Sequence, residues 1–371
     1  MKRLVICFDG TWNSADSERA ETNVALIARA IRANPDGDSP QLVLYLRGVG
    51  STGMALQQIV DGAFGKGVDE NIRSGYMFLA QNYVPGDQIF LFGFSRGAFT
   101  ARSLSGFISC CGLLKRQSLG DLTSAWTYYR GGGARSPADF CRQNGSDCHE
   151  HVSIDFLGVW DTVGALGVPT TILGSLTSQK YAFHDTEPSK SVKRAFHALA
   201  VDEYRDEFAP TLWTGKIPEG ATIEQVWFAG AHSDVGGGYR NRRLADIPLV
   251  WMAEKAREVG LSFDDTMLPK IDDDAHLSPH HESRQGWSLK DRLTPTYRRV
   301  CGEPFDVKPN ERLYYPVGDD GNDLPTINEY LHPSLIERYR KEAHFLAEDE
   351  EDEGHTQIYE PKNLRPLLRD A

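Results

Sequence analysis

Three residue types that together can cleave an ester stand at the ends of three apolar runs. Ser95 closes "QIFLFGFS" between Gly93 and Gly97, Asp161 closes "SIDFLGVWD", and His232 closes "EQVWFAGAH". A serine hydroxyl is a weak nucleophile at neutral pH. A neutral imidazole within hydrogen-bond reach takes its proton, and a carboxylate on the far ring nitrogen fixes the tautomer. The Gly-x-Ser-x-Gly pentapeptide is expected by chance roughly 0.2 times in a chain of this length, so its meaning rests on context. An apolar run precedes it and "AFTARSLSGFI" reads as a helix after it, with small glycine neighbours leaving room for a sharp turn that exposes the hydroxyl. The opposing reading is a serine that only caps that helix.

His232 is the expected base because it follows an apolar run and precedes "SDVGGGY", whose glycines permit a tight loop and close approach of a substrate. His197, His276, His280, His281 and His332 are the alternatives. Asp161 is the expected acid, in competition with Asp234, Asp202 and Asp246; Asp234 could instead orient the loop or the imidazole. An oxyanion hole needs two preorganised N–H donors. One is expected from the backbone of Arg96, which follows the serine, and one from Gly10 or Thr11 in "DGTWN" after the first apolar run. Asp9 is expected to hold that loop, and Asp9, Trp12 and Asp234 are the candidate substrate contacts. The order Ser, Asp, His is the chain order of α/β-hydrolases. The implied reaction is hydrolysis of a carboxylic ester through an acyl-enzyme, with lipid and phospholipid esters among the candidate substrates and no cofactor or metal needed.

Other classes fit less well. A divalent ion on Asp9, Asp161, His232 and Asp234 is chemically reasonable, but no H-E-x-x-H spacing supports it. "FDGT" has the form of a phosphatase aspartate loop, yet Cys7 stands where the accepting carboxylate would be. "GFSRGAFTA" lacks the G-x-G-x-x-G spacing of a dinucleotide site. A hydrolase-like interaction protein with a dead site is the non-enzyme alternative.

The elements that must position these residues are legible in outline. Five runs, at 3–10, 41–48, 88–95, 153–161 and 224–232, are short and apolar on both faces, as strands of a covered parallel sheet are. Helix-like stretches at 23–34, 67–83 and 244–260 lie between and after them. This alternation predicts a mostly parallel, doubly wound α/β sheet with helices on both faces and the site at the carboxyl ends of the strands. The chain reads as one domain with a core of about 1–260. Residues 115–150 and 163–190 read as insertions over the site, one of them a candidate lid. Residues 261–371 read as a polar extension, with "AEDEEDEG" at 347–354 a solvated, flexible run.

The 371 residues carry a formal net charge of −12, and without a basic stripe a nucleic-acid partner is not expected. The apolar run Leu4 to Phe8 is too short for a signal peptide, and no stretch is long enough to span a membrane. None of the six cysteines sits in a C-x-x-C pair, so all are expected to be reduced. That points to a cytoplasmic protein, leaving open an export route that uses no signal peptide. Oligomeric state is not indicated.

Taken together, "CFDGTWN", "GFSRGAFTAR", "GVWDTVGALG", "HALAVDEYRDEF", "AGAHSDVGGGY" and "LADIPLVWM" resemble the α/β-hydrolase family long catalogued as a domain of unknown function, which includes the type VI secretion phospholipase effectors. Six blocks in order over about residues 3 to 252 are far more specific than the pentapeptide. The resemblance implies an α/β-hydrolase fold with Ser95 as nucleophile, Asp161 as acid and His232 as base, and implies that some relatives cleave phospholipid esters.

Overall fold

The computed structural model describes residues 1–10, 20–35, 39–48, 64–131, 135–164, 186–284, 293–318, 320–347 and 350–369. Its centre is a seven-stranded sheet. In chain order the strands are β1 (Arg3–Phe8), β2 (Gln41–Leu46), β3 (Gln88–Phe94), β4 (Phe156–Trp160), β5 (Arg194–Ala200), β6 (Thr222–Phe228) and β7 (Glu329–Leu331). They lie in the order β7-β6-β5-β4-β3-β1-β2, every neighbouring pair parallel. The five apolar runs are therefore strands, and the expected parallel α/β sheet is present.

Two strands were not expected. β5 reads "RAFHALA"; its alanines and lone histidine hide a strand that is buried on both faces. β7 is a three-residue edge, too short to carry a period.

Side chains that alternate along each strand build two cores. On one face Leu4, Ile6, Ile89 and Leu91 pack against α2 (Phe64–Asn82) and α3 (Arg96–Cys111). On the other, Val5, Cys7, Phe90 and Phe92 pack against α1 (Asn23–Ala30) and a helix at Arg243–Arg257. Thr22 caps α1, its hydroxyl accepting from Ala25 N at 3.1 Å, as its position before the apolar face predicts. The chain steps from β1 to β2 on one side and to β3 on the other, so the strand order reverses between β1 and β3. The carboxyl ends at such a point leave a crevice.

The two expected insertions fare differently. Most of 163–190, namely 165–185, lies outside the described residues. Over 115–150 the chain forms α4 (Leu122–Arg130), α5 (Pro137–Asn144) and the paired two-residue strands Leu113–Leu114 and Cys148–His149. Trp126 and Tyr129 lie at 5.4 and 5.1 Å from the Phe107 ring, and Arg116 donates to Gln81 O at 2.7 Å. This segment packs along the later turns of α3 and the end of α2, away from Ser95, because its aromatic residues complete the core there. The lid expectation for 115–150 is corrected accordingly.

The cysteine expectation is corrected too. Cys141 and Cys148 form a disulfide, while Cys7, Cys110, Cys111 and Cys301 are free thiols. Disulfides persist in oxidising compartments, so the expectation of a cytoplasmic chain loses its cysteine argument. Among the described residues, no helix is long and apolar enough to cross a membrane.

The last third of the chain is more than a polar extension. It supplies β7 and a third core, in which Val300, Leu335, Tyr359 and Leu364 cover Leu199, Val201 and Trp227. The acidic run expected to be flexible lies largely in a hairpin, Glu342–Ala347 against Glu350–Ile358.

A Cβ on Gly97 would sit 2.2 Å from Phe8 O, and one on Gly93 would sit 2.4 Å from Gly97 O. The first turn of α3 thus lies directly on the end of β1. Gly97→Ala is expected to cost about 1–3 kcal/mol in urea denaturation, whereas Gly120→Ala, which meets nothing within 4 Å, stays within about 0.5 kcal/mol of wild type. Equal stability of the two variants would refute the close approach.

Candidate active site

Ser95 follows β3 directly and has φ 57° and ψ −121°, a strained conformation for a residue with a side chain. Its N–H donates to Trp160 O at 3.0 Å, which ties the turn to the end of β4, and its carbonyl accepts from Ala98 N at 3.1 Å. It occupies the N-cap position of α3, but its side chain makes no capping bond. The side chain of Ser95 therefore does not cap α3, and the residue stands in a strained strand–turn–helix.

Asp161 follows β4, with φ 37° and no exposure to solvent. Its Oδ2 accepts from His232 Nδ1 at 2.6 Å and its Oδ1 accepts from Ala200 N at 3.0 Å. Arg298 adds a two-pronged ion pair, Nη1 to Oδ1 at 2.6 Å and Nη2 to Oδ2 at 3.0 Å. Burial by itself would raise this carboxyl. The Arg298 charge, with the His232 hydrogen bond behind it, overturns that and holds Asp161 well below the usual carboxylate range.

His232 opens the one-turn helix α6 (His232–Gly236). Its ring lies 4.6 Å from the ring of Phe94, the residue before Ser95, and takes the edge of Phe208 at 4.8 Å. Its backbone N–H donates to Glu203 Oε2 at 3.2 Å. Glu203 is itself buried and paired with Arg205, through Nε at 2.8 Å and Nη2 at 2.7 Å. With Nδ1–H donating to Asp161, Nε2 carries the lone pair a base needs. Burial lowers the imidazole's pKa from its ordinary 6.5, and the Asp161 hydrogen bond and charge only partly oppose this. The ring is therefore neutral at pH 7.

The other predicted residues have different positions. Asp9 is buried, and its carboxylate accepts from Gly10 N at 2.7 Å, Thr22 Oγ1 at 2.8 Å and Tyr45 OH at 2.5 Å. It thereby ties Gly10, Thr22 and Tyr45 together. The same bond commits the Gly10 N–H to Asp9 and corrects Gly10 as an oxyanion donor. Thr11 and Trp12 lie outside the described residues. Arg96 begins α3, where backbone N–H groups face out of the helix end. Asp234 accepts from Ala231 N, His281 N and His281 Nδ1 at 3.0, 3.0 and 2.7 Å. It fastens α6 to residue 281 and is corrected as a substrate contact.

The alternative acids and bases are also engaged elsewhere. Asp202 accepts from Gly230 N and Tyr359 OH, both at 2.7 Å. Asp246 pairs with Arg242. His197 accepts from Thr162 N at 3.1 Å, and burial, with the Arg102 charge second, lowers it to about 3. His280 lies against Arg338, His332 caps its own helix, and His276 faces Glu337. Among the described residues, no three His, Cys, Asp or Glu side chains cluster as a metal site, and Asp9, Asp161 and Asp234 face separate partners.

Sequence reasoning missed Arg298, Glu203 and Arg205. The last two lie inside "HALAVDEYRDEF", where crowded charge beside a strand was the available signal. Arg298 sits in "TPTYRRV", and nothing there marks which arginine turns inward.

Residues 2–255 match the model of a family described as T6SS, phospholipase effector Tle1-like, catalytic domain. Over 236 residues the chain is 29% identical to the uncharacterized protein YEL023C of Saccharomyces cerevisiae, covering 57% of this chain and 33% of that protein. Two solved structures are similar. One is an uncharacterized protein from Pseudomonas aeruginosa (20% identity, TM-score 0.42), covering 78% of this chain and 49% of that one. The other is the Tle1 effector bound to the VgrG spike from the type 6 secretion system (23% identity, TM-score 0.39), covering 65% of this chain and 51% of that one. The chain thus spans a third of the yeast relative and about half of each solved chain.

Removing one member of a buried ion pair strands the other. Asp161→Ala is expected to lose about 3–5 kcal/mol of stability in urea denaturation, because Arg298 stays buried without its carboxylate. Ser95→Ala should stay within about 0.5 kcal/mol of wild type. An Asp161→Ala variant as stable as Ser95→Ala would refute the buried pair.

Proposed function

The chain belongs to the family of type VI secretion phospholipase effector Tle1-like catalytic domains, and on that premise we propose that it is a serine hydrolase of α/β-hydrolase fold acting on a lipid carboxylic ester. The observation that carries the mechanism is the 2.6 Å bond from His232 to Asp161, with the imidazole 4.6 Å from the ring of Phe94, the residue before a serine in a strained turn.

Ser95 Oγ attacks the acyl carbon while His232 Nε2 takes its proton. Charge gathers on the former carbonyl oxygen, where the Arg96 N–H is the first oxyanion donor. The Gly10 N–H is held by Asp9, which leaves Thr11 as the candidate second donor. His232 then delivers the proton to the departing alcohol, and the acyl group remains on Ser95. Water activated by the same imidazole releases the fatty acid. Asp161 keeps Nδ1 protonated and the ring oriented throughout; it does not take the proton itself.

Family membership supports the lipid class of substrate. Acyl length, head group and position on the glycerol are left to measurement.

The test is an ester panel, from short p-nitrophenyl acyl esters to phospholipid vesicles with fatty-acid release measured, run on wild type and Ser95→Ala. Ser95→Ala is expected to lose turnover by about 10⁴- to 10⁶-fold and to lose fluorophosphonate labelling, with His232→Ala similarly inactive. Equal cleavage by wild type and Ser95→Ala would sink the mechanism.

The neutral form of His232 is the active one, so kcat/KM falls only as the imidazole gains a proton. With its pKa lowered from 6.5, kcat/KM should be flat through pH 7 and reach half its plateau below pH 6.5. A half-point above pH 7 would contradict a base buried in this way.

A further inference from the structure

The family match ends at residue 255, yet the acid beside His232 is held by a residue well beyond that point. Arg298 is the last residue of a short strand, Thr296–Arg298, which pairs with Arg312–Tyr314, and it is 2% exposed. Its two terminal nitrogens make four contacts. Nη1 donates to Asp161 Oδ1 at 2.6 Å and to Ala200 O at 2.7 Å; Nη2 donates to Asp161 Oδ2 at 3.0 Å and to Phe208 O at 2.6 Å. One guanidinium therefore grips both oxygens of the acid, the end of β5, and the residue whose ring edge meets His232.

This arrangement does two things. His232 holds Oδ2 and Ala200 N holds Oδ1, and the planar fork of Arg298 adds a charged donor to each oxygen, which stiffens the carboxylate's plane. It also places a full positive charge against the negative charge that would otherwise favour the imidazolium. The other charged or titratable groups facing this pair are Glu203, on the His232 backbone; Arg205, paired with Glu203; and His197, reached through Thr162 N. Glu203 and Arg205 offset one another, and His197 is neutral because burial, then the Arg102 charge, lowers it to about 3. Arg298 is thus the charge that decides how strongly Asp161 acts on His232.

Resting on the serine-hydrolase reading, we propose that Arg298 is a positioning residue of the active site: it clamps Asp161 and, through its charge, weakens His232 as a proton acceptor, so the site is complete only with the segment beyond the family-matched region. Lysine at this position would keep the charge but lose the fork. Glutamine would lose both the charge and most of the fork.

The experiment uses the full chain as wild type, Arg298→Lys and Arg298→Gln. It records kcat and KM for a p-nitrophenyl ester across pH 5 to 9, and the His232 ring titration by NMR on histidine-labelled protein, assigned with His232→Gln. Arg298→Gln should lose about 10- to 100-fold in kcat with KM within about twofold. Its acid limb and its His232 titration should both move up by about one pH unit, since the Asp161 charge is then uncompensated. Arg298→Lys should recover part of kcat and keep the wild-type limb.

A folded Arg298→Gln whose acid limb and ring titration match wild type would overturn the proposal. So would an Arg298→Lys with wild-type kcat, which would deny the fork any role. If Arg298→Gln does not fold, Arg298→Lys decides by those two readouts: reduced kcat on an unmoved limb supports the proposal, and wild-type kcat or a shifted limb overturns it. If wild type shows no Ser95-dependent hydrolysis, the functional reading fails separately, and the NMR titration still decides whether Arg298 governs His232.

Discussion

Taking a carboxylate out of water costs several kcal/mol unless cations and N–H donors surround it. Asp161 has no solvent exposure, and the shape of the site follows from meeting that cost. Arg298 covers both oxygens, Ala200 N covers one, and His232 takes the remaining direction on Oδ2. The imidazole is oriented because its partner cannot move. Glu203 repeats the solution one layer out, paired with Arg205 while it accepts the backbone N–H of His232. Two buried ion pairs thus fix one histidine, one through its ring and one through its main chain.

The sheet explains why these groups meet. β3 and β4 are neighbours, with Phe94 opposite Trp160, so the residues that follow them, Ser95 and Asp161, arrive side by side. β5 and β6 carry the chain onward to Ala200 and then His232. The glycine at 97 lets α3 begin against the end of β1, close to the backbone of Phe8 and Asp9. Ser95 and Asp161 are both at positive φ, each at the residue that directly follows its strand.

Much of this was legible in the sequence, for a clear reason. Apolar runs ending in Ser, Asp and His mark strands and strand ends at once, so the parallel sheet and the His232–Asp161 pair could both be read from the pattern. The failures have physical causes. β5 is built from alanines, which carry little β signal. Asp9, Asp234 and Gly10 are polar or flexible residues beside the site, and composition cannot separate a group that faces a substrate from one that holds a loop. The Cys141–Cys148 bond joins residues whose spacing matches no familiar motif. Arg298 was invisible because its role depends on a contact 137 residues away, which no local pattern encodes.

That separation also sets an order of assembly. At ribosomal rates of about 5–20 residues per second, roughly 7 to 27 seconds pass between the synthesis of Asp161 and that of Arg298. The sheet strands up to β6 are already made in that interval, but the carboxylate at their centre has no cation to enter the core with. Closing the contact is entropically late and non-local, so the nascent chain carries Ser95 and His232 well before it can hold them in register. The third core, built from residues 300–368 on the ends of β5 and β6, then makes the maturation of the site one event with the folding of the last third of the chain.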